Sequence, residues 1–401
     1  MVDSVSVSGN AAGCEAKAEG TACSSVPSVL RWVAGQAGTD PDELHRKFPS
    51  WDEWLSGERE PTLSQLEALA TMAGVPFGYL LLDEPPALTL PISDFRDGFA
   101  GAVRKPSANL LAVLHLSIRR QDWYRGYAQD NSLPAVGLAQ AGKDLDPLEA
   151  ASRLRQALDF DVSARSGSWD DVRKYLIRAF ERSGGLTIVT SMVGNNTRQL
   201  LNPDEFRGFT LADKYAPLVF VNARQTLNGQ IFTLAHEFAH VAHGTSGISL
   251  EDPADEAQSD VEHWCNAVAS EFLVPISDLA TRYQTVAHMR LSEALDQLAR
   301  AYRCGTLVIL QAIRRHRLTE FEDFDAVYQQ ELRRLREHSQ GAGESKGNFY
   351  NNQPFRIGER FSRAIINDAL GGHTTLGQAI RLMSLKSLSV FDKYAKTLGM
   401  A

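Results

Sequence analysis

The spacing of apolar residues predicts that most of the chain is helical. Between residues 26 and 87, five short segments carry apolar side chains at helical spacing, and glycine or proline residues separate them. Three longer helices are predicted at 106–130, 146–160 and 168–185, the last two preceded by capping Asp or Ser residues. The first half of the chain is therefore predicted to be helical almost throughout.

Three short strands are predicted next, because β-branched and aromatic residues are concentrated at 186–193, 206–213 and 216–223. The helix that follows is predicted to be amphipathic, since its apolar residues form one stripe at helical spacing: Ile231, Leu234, Ala235, Phe238 and Ala242. A further helix is expected from about Asp255 to Leu273, with two more before residue 318 and at least three beyond residue 349. The pattern favours an α+β fold, mostly helical, with a small mixed β-sheet.

A chain of 401 residues is longer than one typical domain, so several regions are expected. Composition and the positions of the predicted elements divide it as follows: a disordered tail at 1–25, a helical domain at 26–87, a helical linker region at 88–165, an α+β core at 166–285, a helical extension at 286–340 and a helical C-terminal domain at 341–401.

Composition argues against several classes of protein. The net charge of −8 gives no general attraction to nucleic acid or to anionic membranes, and no apolar run is long enough to cross a bilayer. The N-terminus lacks the basic and apolar regions of a secretory signal. The four cysteines form no CxxC pair, which indicates reduced thiols and a cytoplasmic location.

The candidate chemistry lies at residues 236–240, which read His-Glu-Phe-Ala-His. On a helix, positions i and i+4 lie one turn apart on nearly the same face, so His236 and His240 can bind one Zn²⁺. Glu237 lies beside the first histidine and is the candidate general base for attack of water on a carbonyl. Both histidines lie outside the apolar stripe, and they are expected to face a cleft.

A catalytic zinc needs a third protein ligand, and no histidine stands at the position where a longer HExxHxxGxxH motif would place one. The candidates on the next helix are Asp255, Glu256, Asp260, Glu262, His263 and Glu271. Glu262 is favoured because it lies at the border of the buried stripe of that helix, whereas His263 and Glu256 lie on the solvent side.

Four further residues are candidate substrate contacts: Asn222, Arg207, Tyr215 and His243. For His243, one turn beyond His240, a histidine at the C-terminal end of a helix is the favoured interpretation. The strand at 217–223 is a candidate for pairing with an extended substrate.

Two stretches, 205–244 and 261–275, resemble the ImmA/IrrE family of bacterial metallopeptidases. In that family a strand ending in Asn precedes the HExxH helix, and a later E-x-x-A-N-x-x-A helix supplies the third zinc ligand. Glu262, Asn266, Ala269 and Pro275 match this second motif, and Cys265 replaces its usual Ala. The resemblance implies a zincin-like core at 166–285, a gluzincin-like Glu262 ligand and Glu237 as base.

Residues 54–82 resemble an XRE-type helix-turn-helix, which implies an XRE-like five-helix domain at 26–87. Its recognition segment offers Asp52 and Glu53, which repel phosphate, and only Arg46 and Lys47 are basic nearby. A protein-interaction or regulatory role is therefore favoured over specific DNA binding.

Together, motif and resemblance predict a zinc endopeptidase that cuts a specific regulatory protein, such as a repressor or antitoxin. The family suggests a setting in stress response, mobile-element control or phage defence. The alternative is a DNA-binding regulator or toxin–antitoxin component whose zinc domain serves as a sensing or binding module.

Overall fold

The computed structural model describes residues 26–37, 41–73, 75, 77–85, 90–94, 106–250, 259–339 and 349–400. The predicted tail at 1–25 lies outside these residues. The chain divides into two compact units, one within Met1–Thr89 and Lys105–Leu111, the other within Leu90–Arg104 and Ala112–Ala401.

In its described residues, the first unit holds four complete α-helices and one short 3-10 helix, Phe77–Leu81, which replaces the fifth predicted α-helix. The α-helices are α1 Pro27–Ala37, α2 Pro41–Lys47, α3 Trp51–Ser56 and α4 Leu63–Ala73. Thr62 caps α4 reciprocally with Gln65, as the side chain of each accepts the backbone N–H of the other. Trp54, Leu66 and Leu69 are buried in its core.

Helices dominate the second unit as well, apart from one small sheet. Its helical elements are α5 Ala108–Asp130, whose first four residues count to the first unit, α6 Pro147–Ala157, α7 Trp169–Arg182, α8 Leu227–His243, α9 Asp260–Leu273, α10 Ile276–Val286, α11 Leu291–Tyr302, α12 Thr306–Arg315, α13 Phe324–Ser339, α14 Phe349–Ile357, α15 Glu359–Leu370, α16 Leu376–Leu382 and α17 Leu388–Thr397. The α+β, mostly helical fold is therefore confirmed. No helix in the described ranges is both long and apolar enough to cross a membrane.

The sheet has five strands in the order β1-β5-β3-β4-β2. The strands are β1 Ser93–Asp94, β2 Leu186–Thr190, β3 Gly208–Leu211, β4 Leu218–Asn222 and β5 Gly247–Ser249. β2 pairs in parallel with β4, β3 is antiparallel to both β4 and β5, and β1 is parallel to β5. The small mixed sheet is confirmed, although β1 and β5 were not predicted because two or three residues show no periodicity.

The position of β4 corrects one prediction. The strand at 217–223 was expected to pair with substrate, but β4 lies between β2 and β3 and its hydrogen bonds are used on both sides. An extended peptide can add only at an edge of a sheet. The edge strands here are β1 and β2.

Helix α8 lies at the centre of the second unit and packs on β3, β4, α7 and α9. Thr226 caps its first turn through Gly229 N–H, and Gly244 ends it in the left-handed conformation at φ 82°. Every residue from Gln230 to Ala242 is buried. The predicted helix and the burial of its apolar stripe are confirmed, but its polar side is not open, because neighbouring elements cover α8 there too.

Helix α9 begins five residues later than predicted. Ser259 has extended dihedral angles and its side chain accepts the N–H of Glu262, so it is the N-cap of a helix that starts at Asp260. The expected start near Asp255 is thus wrong, and residues 251–258 lie outside the described ranges. The helix ends before Pro275, as expected.

The C-terminal helices pack on elements that precede α8 in the chain. Helix α14 packs against β2, and α15 contacts both β2 and α7. The Arg120 guanidinium of α5 donates to Leu382 O at 2.8 Å, and the Trp123 indole of α5 donates to Thr374 Oγ1 at 3.0 Å. The C-terminal region is thereby joined to this unit.

Candidate metal centre

Helices α8 and α9 bring His236, His240 and Glu262 together. The two Nε2 atoms are 3.0 Å apart, and Glu262 places Oε2 at 3.2 Å from His236 Nε2 and Oε1 at 2.9 Å from His240 Nε2. Both histidines are fully buried and Glu262 is 2 % exposed. Among the described residues, this is the one group of three or more metal-ligating side chains whose donor atoms lie within 4.8 Å of one another.

The environment fixes the charges of these groups. Burial lowers the pKa of His240, as does the positive charge of His236, and the contact with Glu262 opposes this shift only in part. Burial alone would raise the pKa of Glu262, but the two imidazoles hold it well below its usual range. A neutral imidazole and an ionised carboxylate are the protonation states that bind a cation.

Asn266 orients the first histidine. Its Oδ1 lies 2.9 Å from His236 Nδ1, one turn of α9 after Glu262. An N–H on Nδ1 donates to this oxygen and leaves the Nε2 lone pair facing Glu262. One helix therefore supplies both the carboxylate and the residue that sets the histidine's tautomer.

Glu237 is fully buried between α8 and β3. The hydroxyl of Thr210 donates to its Oε2 at 2.7 Å and lies 3.1 Å from its backbone oxygen. Gly208, two residues earlier on the same face of β3, leaves room for the carboxylate, because a Cβ there would lie 2.6 Å from Glu237 Oε1. The period-2 pattern places both residues on one face, but neither was predicted as part of the site.

The predicted substrate contacts are placed as follows. Asn222 is fully buried; its amide nitrogen donates to Phe206 O at 3.2 Å and its Oδ1 accepts from Arg224 N at 3.1 Å. These bonds give it a structural role at the end of β4. Arg207, directly before β3, and Tyr215, in the connection from β3 to β4, are half-buried. Their contact with substrate stays a prediction.

His243 is the last residue of α8, as favoured from the sequence. Its Nδ1 lies 2.6 Å from Thr245 Oγ1 and its ring lies 5.1 Å from that of Trp264. Burial and the charge of Lys143 lower its pKa.

The other candidate ligands on α9 lie apart from the histidines. Asp260 and His263 are exposed, and the carboxylate of Glu271 accepts the N–H of Ile276 at the start of α10. Asp255 and Glu256 lie outside the described residues. Cys265 is fully buried, as expected for a small apolar side chain.

Both histidines were expected to face a cleft, and this expectation is wrong, since neither has any exposed surface. The donor set nevertheless fits a divalent metal ion. Two imidazole nitrogens and a carboxylate are buried here about 3 Å from one another. Without a proton or a cation between them, their lone pairs would repel one another and would lack the solvation that water provides. Imidazole and carboxylate are also donor types that protein metal sites use.

Comparison with known families places this site within a recognised domain. Residues 181–314 match the Peptidase_M78 family model, described as an IrrE N-terminal-like domain, and residues 357–397 match a domain of unknown function, DUF8813. No curated protein and no solved structure matches the chain. Both family matches lie beyond residue 180, so the helix-turn-helix likeness stays a prediction. The first match includes α8 and α9 entirely, and it supports the ImmA/IrrE resemblance and indicates a metallopeptidase-type function for this part of the chain.

Proposed function

We propose that the protein is a zinc-dependent endopeptidase. The observation that carries the proposal is the convergence of His236, His240 and Glu262 from two helices, with the carboxylate of Glu237 next in sequence to the first histidine. His236 and His240 would hold the ion through Nε2, and Glu262 through its carboxylate. When bound, zinc supplies a Lewis acid that polarises a carbonyl and lowers the pKa of water.

Glu237 is the proposed general base. Its carboxylate takes a proton from the attacking water and delivers it to the leaving amine nitrogen. Thr210 holds Oε2 by the 2.7 Å hydrogen bond, and Gly208 allows β3 to approach closely, so the side chain is kept in one orientation. Asn266 serves the site by keeping the Nδ1 proton on His236.

The buried state of these residues has a consequence for activity. An extended peptide cannot reach Glu237 while this side chain and both histidines have no exposed surface. Cleavage therefore requires a conformational opening around α8 and α9, and the conformation described here corresponds to a closed state.

For the substrate we propose a specific regulatory protein of the repressor or antitoxin type, in stress response, mobile-element control or phage defence. Support comes from the likeness to the ImmA/IrrE family. The N-terminal helices are proposed to recognise a protein, since Asp52 and Glu53 place acidic charge in the first turn of α3.

Metal content tests the site first. The purified wild-type chain is expected to hold about one zinc per molecule by mass spectrometry of metals. His240→Ala should lose it, whereas His243→Ala, changed in the same last turn of α8, should keep it. A wild-type protein without zinc, or equal zinc in the two variants, would contradict the proposal.

Proteolysis tests the chemistry. New protein N-termini are compared by mass spectrometry in cells that express the wild type, Glu237→Gln or the exposed control Glu293→Gln. We expect specific cleavages with the wild type and the control, reduced at least about a hundredfold in Glu237→Gln. The same cleavages at equal rate in Glu237→Gln would show that Glu237 is not the base.

A further inference from the structure

A second cluster of charged side chains lies where α5, α7 and α15 line a cavity of about 780 Å³. Arg178 and Arg182 lie four residues apart on α7, and Arg360 and Arg363 lie three residues apart on α15. The two arginines of each pair are one helical turn apart and lie on the same face of their helix. All four guanidinium groups therefore line the same cavity. This concentration of positive charge is unusual in a chain of net charge −8.

The two arginines of α15 are held in place by the protein. Arg360 donates from Nε to Tyr124 OH at 2.7 Å and from Nη1 to Glu181 O at 3.1 Å. Arg363 donates from Nε to Glu359 Oε1 at 2.9 Å and from Nη1 to Leu398 O at 3.1 Å. These two groups are therefore pre-organised beside the cavity, which lowers the entropy cost of binding a ligand there.

The arginines of α7 are the exposed partners. Arg178 and Arg182 are both exposed, and both line the cavity. Among the described residues no carboxylate pairs with either arginine, and Arg182 lies over the Tyr175 ring at 5.6 Å, so the planar N–H donors of both remain available to an incoming anion. Neither residue has any role in the metal centre.

Glu181 is an independent indication of a ligand. It is 7 % exposed and lines the cavity, and its Oε2 accepts the N–H of Arg360 at 3.3 Å. Its Oε1 is buried and has no hydrogen-bond partner within the part of the chain that the structure describes. A buried carboxyl oxygen without a partner is costly, and a rotation of the carboxyl toward the cavity would let a bound molecule satisfy it.

The charge state of Glu181 selects the chemistry of that molecule. Burial raises its pKa to about 8, although the backbone N–H groups of Arg360 and Glu359 and the charge of Arg360 oppose this shift; the charge of Glu359 adds to it. At neutral pH the carboxyl is therefore mostly protonated and acts as a donor. Guanidinium groups are donors only, so the cavity offers several donors to a ligand rich in acceptor oxygens.

We propose that this cavity binds the phosphate group of a small organic phosphate, which Arg178 and Arg182 neutralise and to which Glu181 donates a hydrogen bond. Phosphate combines negative charge with acceptor oxygens that fit the planar guanidinium fork. The cavity volume lies within the range of sites for small organic molecules, so the ligand is of about nucleotide size. This binding site is independent of the proposed peptidase activity.

Calorimetric titration of the full-length protein tests the ligand class. The probes are AMP, ribose 5-phosphate, inorganic phosphate and adenosine. We expect AMP or ribose 5-phosphate to bind at least about tenfold more tightly than adenosine and than inorganic phosphate. Inorganic phosphate binding as tightly as both organic phosphates, or no binding of any phosphate at about 1 mM, would overturn the proposal.

Substitutions then locate the site. The double variant Arg178→Gln/Arg182→Gln changes exposed residues and is expected to bind the organic phosphate at least about tenfold more weakly. Arg300→Gln, an exposed arginine on α11, should leave the affinity unchanged. Glu181→Gln keeps an N–H donor and should retain affinity within about threefold, whereas Glu181→Leu should lose about tenfold. Unchanged affinity in the double arginine variant would place the ligand elsewhere and refute the assignment.

Discussion

Replacement of Gly208 by alanine tests the closest contact in the metal centre. The new Cβ would lie 2.6 Å from Glu237 Oε1, 2.7 Å from Thr233 Cγ2 and 2.9 Å from Phe220 O. Ordinary contact begins at 3.4 Å, so Glu237 or β3 must move by about 0.8 Å. Neither moves easily, because β3 is paired on both sides and α8 is buried on every side.

The expected magnitudes follow from this displacement. Overpacking of a well-filled core costs about 1 to 3 kcal/mol, which lowers Tm by roughly 2 to 8 °C for a unit of this size. A misplacement of the general base approaching 1 Å costs about a hundredfold in kcat. Zinc content should be unchanged, because the substitution acts on Glu237 and not on the three ligands.

Calorimetry, metal analysis and the N-terminus assay measure the three quantities separately. Gly377→Ala is the matched control, since its Cβ would lie 3.6 Å from the flexible end of Arg381. It should leave zinc content and cleavage unchanged and should not lower Tm, because Ala is a better helix former than Gly in α16. If Gly208→Ala had the Tm and the cleavage rate of the wild type, the close packing of β3 on Glu237 would not be the reason why position 208 is a glycine.

Two further predictions concern other contacts. Asn266→Ala should weaken zinc affinity by about 10- to 100-fold in a chelator competition, because His236 loses the acceptor that fixes its tautomer. The control Ser270→Ala, on the same helix, should keep the wild-type affinity. Equal affinities in the two variants would show that Asn266 does not support the metal site. For Glu181, a pKa raised from 4.5 to about 8 means that the folded state binds the proton more tightly, so the stability due to this group falls as pH rises through that window. The Gln side chain of Glu181→Gln cannot ionise. In urea unfolding, the free energy of unfolding of this variant minus that of the wild type should therefore increase by about 1 to 3 kcal/mol when the pH is raised from about 5 to about 8. A difference that does not depend on pH would contradict the shift.

The local parts of the site were predictable from sequence. His236 and His240 lie on one helix, so their spacing determines their geometry, and the border position of Glu262 on its own helix is also a local property. The three strands β2, β3 and β4 were recognisable from their composition for the same reason.

Features that depend on long-range pairing were not predictable. The order of strands that places β4 in the interior, and the brief strands β1 and β5, arise from contacts between distant segments. The burial of the polar side of α8 depends on α9 and β3. The contact between Gly208 and Glu237 joins a strand to a helix, so no periodicity within either element indicates it.

The packing of α14 against β2 bears on how the protein is made. Residues 349–357 are synthesised long after β2, yet they pack against the outermost strand of the sheet, and Gly358 approaches Thr187 O so closely that a Cβ would lie 2.8 Å from it. Until residues 349–357 have left the ribosome and folded, β2 remains an uncovered edge that is able to pair with other chains. A recombinant fragment cut at residues 181 and 314 would keep that edge permanently, so aggregation is its expected fate, and a useful expression boundary lies beyond residue 397.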